Sequence, residues 1–247
     1  MKILLATLAA LIGVAPARAG DTQVAVAANF TAPAKAISAA FTAATGHTAT
    51  LSFGSSGAFY TQLSHGAPFE VFLSADAERP KKAEDEGFAV PGTRFTYAIG
   101  RLVLYSTDAA LVDRRGDVLR RGTFAHIAVA DPATAPYGTA AITAMTRLGV
   151  VAALSPRLVT GSSITQAFQF VATGAAELGF VAASQVVDVP GGSRWLVPVR
   201  LHDPIDQQAV LLKTGAANPA AAAFVAFLKG PAATAIIRRF GYDLPRR

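Results

Sequence analysis

Beyond residue 20 the chain opens with alternating strand-like and helix-like segments, and this alternation constrains the fold more than any other feature. Residues 22–27 read as a strand, and residues 34–45 set Ile37, Ala40, Phe41 and Ala44 on one helical face. A strand at 48–53, a helix at 58–65 closed by Gly66, and a strand at 69–75 follow directly. Successive strands reached through helical crossovers pair in parallel, so the spacing predicts an α/β fold. Thr31 is placed to cap the first helix, while Pro33 suits its first turn and Gly46 its exit.

The pattern restarts after a long strand-like run at 95–106. A strand at 126–130, helices at 139–148 and 164–173, and strands at 178–182 and 209–213 make a second set. Asn218-Pro219 then opens a last pair of helices at 220–228 and 232–240. No glycine- or serine-rich linker separates the sets, so two lobes joined by crossing strands are expected. The expected division gives residues 20–99 and 211–247 to lobe 1 and residues 100–210 to lobe 2.

Residues 1–19 carry Lys2, an apolar run from 3 to 14, and the small-x-small pattern Ala17-Arg18-Ala19. This reads as a cleavable signal peptide and predicts an exported protein. The apolar run is shorter than the roughly 18 to 20 residues that cross a bilayer. Loss of Lys2 and Arg18 takes the formal charge from +6 to +4. The remaining basic residues stand largely in scattered pairs, such as Lys81-Lys82 and Arg120-Arg121, with no aromatic interleaving, which argues against nucleic acid as a partner. The absence of cysteine excludes disulfides, thiolate metal sites and a cysteine nucleophile. His47, His65, His126 and His202 lie too far apart for a local metal-ligand motif.

The chemistry lies in the strand-to-helix joints. Residues 51–60, LSFGSSGAFY, turn from strand to helix through two glycines and two small hydroxyls, and residues 160–170, TGSSITQAFQF, repeat Gly-Ser-Ser before a helix in the other lobe. Comparable joints occur at Ala27-Ala28-Asn29-Phe30-Thr31, Ser74-Ala75-Asp76 and Pro136-Tyr137-Gly138-Thr139. Each presents a helix N-terminus, whose unpaired N–H groups and partial positive charge attract anions without a formal cation. One such joint by itself is an ordinary N-cap. Several at the C-terminal ends of parallel strands mark the crevice in which α/β sheets bind ligands. Their near-total lack of Lys, Arg and His points to a small, fully ionised oxyanion held by neutral donors.

Enzyme signatures are absent. Gly54-Ser55-Ser56-Gly57 is one residue short of the G-x-S-x-G elbow, no Gly-Lys-Ser/Thr P-loop occurs, and no G-x-G-x-x-G follows the first strand. Asp76 and Asp131 follow strands without a paired acid or metal partner, so turn and cap roles are expected for them.

Over essentially the whole mature chain the sequence resembles the periplasmic molybdate-binding proteins of ABC importers. The motifs that carry the resemblance are VAVAANFTAPAKAI, LSFGSSGAFYTQL, GAPFEVFLSADAERP, VADPATAPYGTAA, ELGFVAASQ and FLKGPAATAIIRRFGY, in this order and spacing. The resemblance implies a type II periplasmic-binding fold, each lobe a mainly parallel sheet flanked by helices, joined by two crossing strands and closing on one tetrahedral oxyanion. It implies a ligand set of Asn29 with the Ala28 backbone, Ser56 with Ser55, the Ala75 backbone, Tyr137 and the Ile164 amide. Many relatives have serine at Asn29 and a ligand-contacting tyrosine at Ala182; the Tyr137 hydroxyl is expected to replace that missing donor. The implied protein is a monomer with no cofactor and no catalytic activity. It would bind molybdate or tungstate and pass it to a membrane permease with a cytoplasmic ATPase. The alternatives are a receptor for sulfate or another small oxyanion, and an exported serine hydrolase using Ser56.

Overall fold

The computed structural model describes residues 19–245, so the signal peptide assigned to 1–19 lies outside the described residues except for Ala19. Lobe 1 opens with β1 (Asp21–Ala27), α1 (Thr31–Thr45), β2 (Thr48–Gly54), α2 (Ser56–Ser64), β3 (Val71–Leu73), α3 (Glu78–Asp85) and β4 (Phe95–Gly100). Lobe 2 begins with β5 (Leu102–Ser106), α4 (Val118–Arg121), β6 (Ile127–Ala130), α5 (Pro136–Arg147) and α6 (Val151–Leu154). It continues through β7 (Leu158–Gly161), α7 (Ile164–Ala172), β8 (Leu178–Ala182), α8 (Ala183–Val186) and β9 (Ser193–Leu196). The chain then returns to lobe 1 with β10 (Ile205–Leu211), α9 (Pro219–Leu228) and α10 (Pro231–Arg239).

The two sheets share one topology, β2-β1-β3-β10-β4 and β7-β6-β8-β5-β9. In each, the first three strands are parallel and the fourth runs against both its neighbours. Four strands per sheet therefore point one way, and the reversed one, β10 or β5, is the strand that enters from the other lobe. Strand β1 is buried on both faces. Val24 and Val26 pack with Phe30, Ile37, Phe41 and Phe224, while Ala25 packs on the other side with Phe59, Leu63 and Phe72. Such burial of both faces is what a parallel strand between helical layers requires.

The strand-like run at 95–106 is two strands. It breaks at Arg101, and its halves β4 and β5 belong to different sheets, so the chain first crosses between the sheets at Arg101. The return crossing differs from the expected 210/211 boundary. β10 pairs with β4 from Ile205 and with β3 from Ala209, which puts the return between Leu196 and Ile205. The reason is Gln207, a fully buried polar residue at a core-facing position, which hides the strand's apolar period. Helix α5 starts three residues earlier than its periodicity indicates, because Pro136 suits a first helical position. Thr31 does not cap α1; it is the first helical residue, and its hydroxyl donates back to the Ala28 carbonyl at 2.8 Å. Gly46 ends α1 in the left-handed conformation, as expected.

Candidate functional site

The C-terminal ends of β1, β2 and β3 in lobe 1 face the N-terminal ends of α5 and α7 in lobe 2 across a narrow cavity of about 10 Å³. The volume lies far below the roughly 300–1,000 Å³ of sites for organic ligands. Ala28, Asn29, Ser55, Ser56, Ala75, Tyr137 and Ile164 all line it, and no charged residue does. The seven positions that the resemblance implies as the ligand set are thus brought to one place. Ala182 lies outside the lining and is fully buried.

The two Gly-Ser-Ser joints differ. Ser163 caps α7 in the ordinary way, its hydroxyl accepting the Gln166 N–H at 3.3 Å. Ser55, at the corresponding place before α2, makes no side-chain cap bond although it is 8% exposed. Its neighbour Ser56 is 1% exposed and accepts the Ala75 N–H at 2.9 Å. The Ala75 amide is therefore spent on the Ser56 oxygen, and what Ser56 offers the cavity is its hydroxyl proton. Ser56 and Ile164 are the first residues of α2 and α7, where N–H groups have no intrahelical partner.

Asn29 lines the cavity. Its side-chain Nδ2 donates to Gln207 Oε1 and to the Tyr242 hydroxyl, both at 2.9 Å. Gln207 Oε1 also accepts the Tyr97 hydroxyl at 3.0 Å, and Gln207 Nε2 donates to the Tyr137 hydroxyl at 3.2 Å. Tyr242 and Ser184 Oγ each donate to the Asn29 carbonyl at 2.8 Å. This buried cluster forms the back wall at the hinge. A Cβ at Gly100 would stand 2.4 Å from the Tyr137 hydroxyl and 2.8 Å from Gln207 Nε2, so glycine makes its room. Burial raises the Tyr97 and Tyr137 phenols well above their usual range and pushes Tyr242 up to about 12. All three remain proton donors at neutral pH. Sequence reasoning missed Gln207, Tyr97, Tyr242 and Ser184, which come from four separate stretches of chain.

The lobes are shut. The Gly57 N–H donates to the Thr134 carbonyl at 2.8 Å, and Arg79 Nη2 reaches the Ala133 carbonyl at 3.1 Å. Behind them, Thr165 Oγ1 donates to the Ala28 carbonyl at 3.3 Å. The two post-strand aspartates serve turns, as expected. Asp76 Oδ1 accepts the Arg79 N–H at 3.0 Å and its carboxylate pairs with the Arg79 guanidinium. Asp131 Oδ1 accepts the Ala133 N–H at 3.0 Å. No histidine lines the cavity. Among the described residues no group of His, Cys, Asp and Glu could hold a metal ion.

Two lobes of identical topology, shut on a small uncharged cavity at the ends of parallel strands, define a solute-binding protein. A family model described as bacterial extracellular solute-binding protein matches residues 22–243, and the chain belongs to that family. It is 61% identical over 236 residues to the molybdate-binding protein ModA of Rhodobacter capsulatus, covering 95% of this chain and 93% of the relative. To ModA of Azotobacter vinelandii it is 54% identical over 231 residues, covering 92% of each. Among solved structures, the periplasmic molybdate-binding protein of Azotobacter vinelandii matches with a TM-score of 0.89 at 43% identity, covering 91% of this chain and 100% of that one.

Proposed function

We propose that this chain is the substrate-binding component of a molybdate ABC importer, closing its lobes on one molybdate or tungstate ion. The observation that carries the reading is the cavity itself. It is small, uncharged, and walled by hydroxyls and helix N-termini from both lobes. A tetrahedral dianion needs donors on all sides and, once closed in, no formal counter-charge, because helix ends and hydrogen bonds supply the compensation. The Ser56 hydroxyl, the Tyr137 hydroxyl and the main-chain N–H groups of Ala28, Asn29 and Ile164 are the donors. Ala75 acts through Ser56, turning its hydroxyl proton toward the ion, and Ser55 walls the cavity beside it. The relatives named molybdate-binding, at 61% and 54% identity, support molybdate over other oxyanions.

The chain performs no chemistry on its ligand. Ser56 has an N–H, not a base, on its oxygen, which disfavours a nucleophilic role. After removal of residues 1–19 it works in the periplasm as a monomer and delivers the anion to a membrane permease with its cytoplasmic ATPase. Isothermal calorimetry of the mature chain with molybdate, tungstate, sulfate and phosphate tests the assignment. Tight binding of molybdate and tungstate is expected, and tight sulfate binding without molybdate would overturn it.

A further inference from the structure

We propose that Gln207 is a positioning residue: its buried side-chain amide fixes the Tyr137 hydroxyl as an acceptor, so that the phenolic proton has the bound anion as its partner. The inference rests on the oxyanion reading of the cavity and adds a residue that does not itself line it. Counting protons around the hinge cluster carries it. Ser184 Oγ directs its proton at the Asn29 carbonyl, and the single Tyr242 proton goes to that carbonyl at 2.8 Å or to Ser184 Oγ at 3.0 Å, so it is committed in either case. With its proton committed, the Tyr242 oxygen must accept from Asn29 Nδ2, which sets the orientation of the Asn29 amide. The second Nδ2 proton then requires an acceptor at Gln207, so Oε1 faces Asn29; the Tyr97 hydroxyl, which donates to Oε1 or to the Ser74 carbonyl, is compatible with that orientation. That leaves Gln207 Nε2 toward Tyr137, whose oxygen it donates to at 3.2 Å.

Direction therefore runs one way, from the Asn29 carbonyl through Tyr242, Asn29 and Gln207 to Tyr137. The Tyr137 oxygen is filled from behind and its proton is left for another acceptor. The competing acceptor nearby is the Tyr242 oxygen. It is neutral and already holds an Asn29 N–H, so a charged oxyanion in the cavity is the stronger partner. Gln207 sits on β10 in lobe 1 and Tyr137 on α5 in lobe 2, so the bond exists only when the lobes meet. Closure and orientation of the donor are one event. Gln207 is fully buried, which keeps water from substituting for its amide.

A double-mutant cycle tests the relay, with calorimetry of the parent, Gln207→Met, Tyr137→Phe and the double variant. Gln207→Met should weaken anion binding about tenfold in the parent and less than about twofold when Tyr137 is already Phe, since the hydroxyl it orients is gone. Equal losses in both backgrounds, or no loss in the parent, overturn the proposal. If Gln207→Met does not fold, the same cycle with Gln207→Glu serves. A carboxylate there has no N–H for the Tyr137 oxygen and accepts the phenolic proton itself, so the loss is again expected to be larger in the parent than in the Tyr137→Phe background. The cycle is run with whichever tetrahedral oxyanion the parent binds. Sulfate binding without molybdate thus overturns the proposed function while the relay is still read, and a parent that binds no oxyanion overturns both.

Discussion

Gly57→Ala should separate lobe closure from lobe stability. A Cβ at position 57 would stand 2.8 Å from Thr134 Cα and 3.0 Å from the Thr134 carbonyl oxygen, both backbone atoms of the opposite lobe. Relaxed contact needs about 3.5 Å or more, so the lobes must part locally by about 0.7 Å. The Gly57 N–H to Thr134 bond, 2.8 Å in the closed form, would stretch to about 3.5 Å and be lost. Losing that bond costs about 0.5–1.5 kcal/mol and crowding the contact about 1–3 kcal/mol. Together these weaken ligand binding by about tenfold to a thousandfold.

None of this applies to the open form. Gly57 is not among the glycines with positive φ, so the closeness of Thr134, not its backbone angle, requires glycine. It is the second residue of α2, where alanine instead favours the helix by up to about 1 kcal/mol. The expected result is a ligand-free melting temperature that holds or rises, a dissociation constant raised at least tenfold, and less compaction on molybdate addition in solution scattering. Parental affinity with parental compaction would refute the reasoning. So would a fall in ligand-free melting temperature matching the loss of affinity, which would mark ordinary destabilisation.

Ser56→Ala removes the hydroxyl held by the Ala75 N–H and should weaken molybdate binding about ten- to a hundredfold, read by calorimetry; an unchanged constant would make Ser56 a structural residue only. Ile164→Pro should abolish tight binding while leaving the melting temperature near the parent's. Proline suits a first helical position, and Ser163 before it is already extended, at φ −150° and ψ 167°; Ile164→Val should bind normally. Burial alone would raise the Asp113 carboxyl, but the Arg115 and Asp117 N–H groups and the Arg121 guanidinium outweigh it and bring it down to about 2. Its contribution is present above an unfolded value near 3.8 and is lost as pH falls toward 2, so acid titration of stability should be shallower over that window in Asp113→Asn.

The parts of the site that sequence revealed are local. A helix start follows from an apolar period of 3.6 and a cap-like residue before it, and such signals fit within ten residues, as in LSFGSSGAFY and TGSSITQAFQF. The cavity wall is made of those starts, so its residues were legible. The hinge cluster is not local: Asn29 meets Gln207 from 178 positions away and Tyr242 from 213. No periodicity links such positions. The trace Gln207 left in the sequence was a polar residue at a core-facing position of an alternating strand, and that trace blurred the strand and shifted the expected return crossing to 210/211.

The neutrality of the cavity and its division between lobes have a common consequence. A formal cation in one lobe would hold an oxyanion strongly with the lobes apart, and closure would add little. Here Arg79, a charged group at the lobe contact, is paired with Asp76 and spends its remaining reach on the Ala133 carbonyl of the other lobe. Neither lobe by itself offers the anion more than neutral hydroxyls and helix ends, and those of lobe 2 become available only on closing. The lobe-to-lobe bonds, from Gly57 to Thr134 and from Gln207 to Tyr137, each contribute about 0.5–1.5 kcal/mol net. That is enough to align the lobes but small beside the charge-assisted bonds that one dianion makes to both at once. The ligand stabilises the closed form by contacts the open form cannot make, which is the condition for closure to report occupancy.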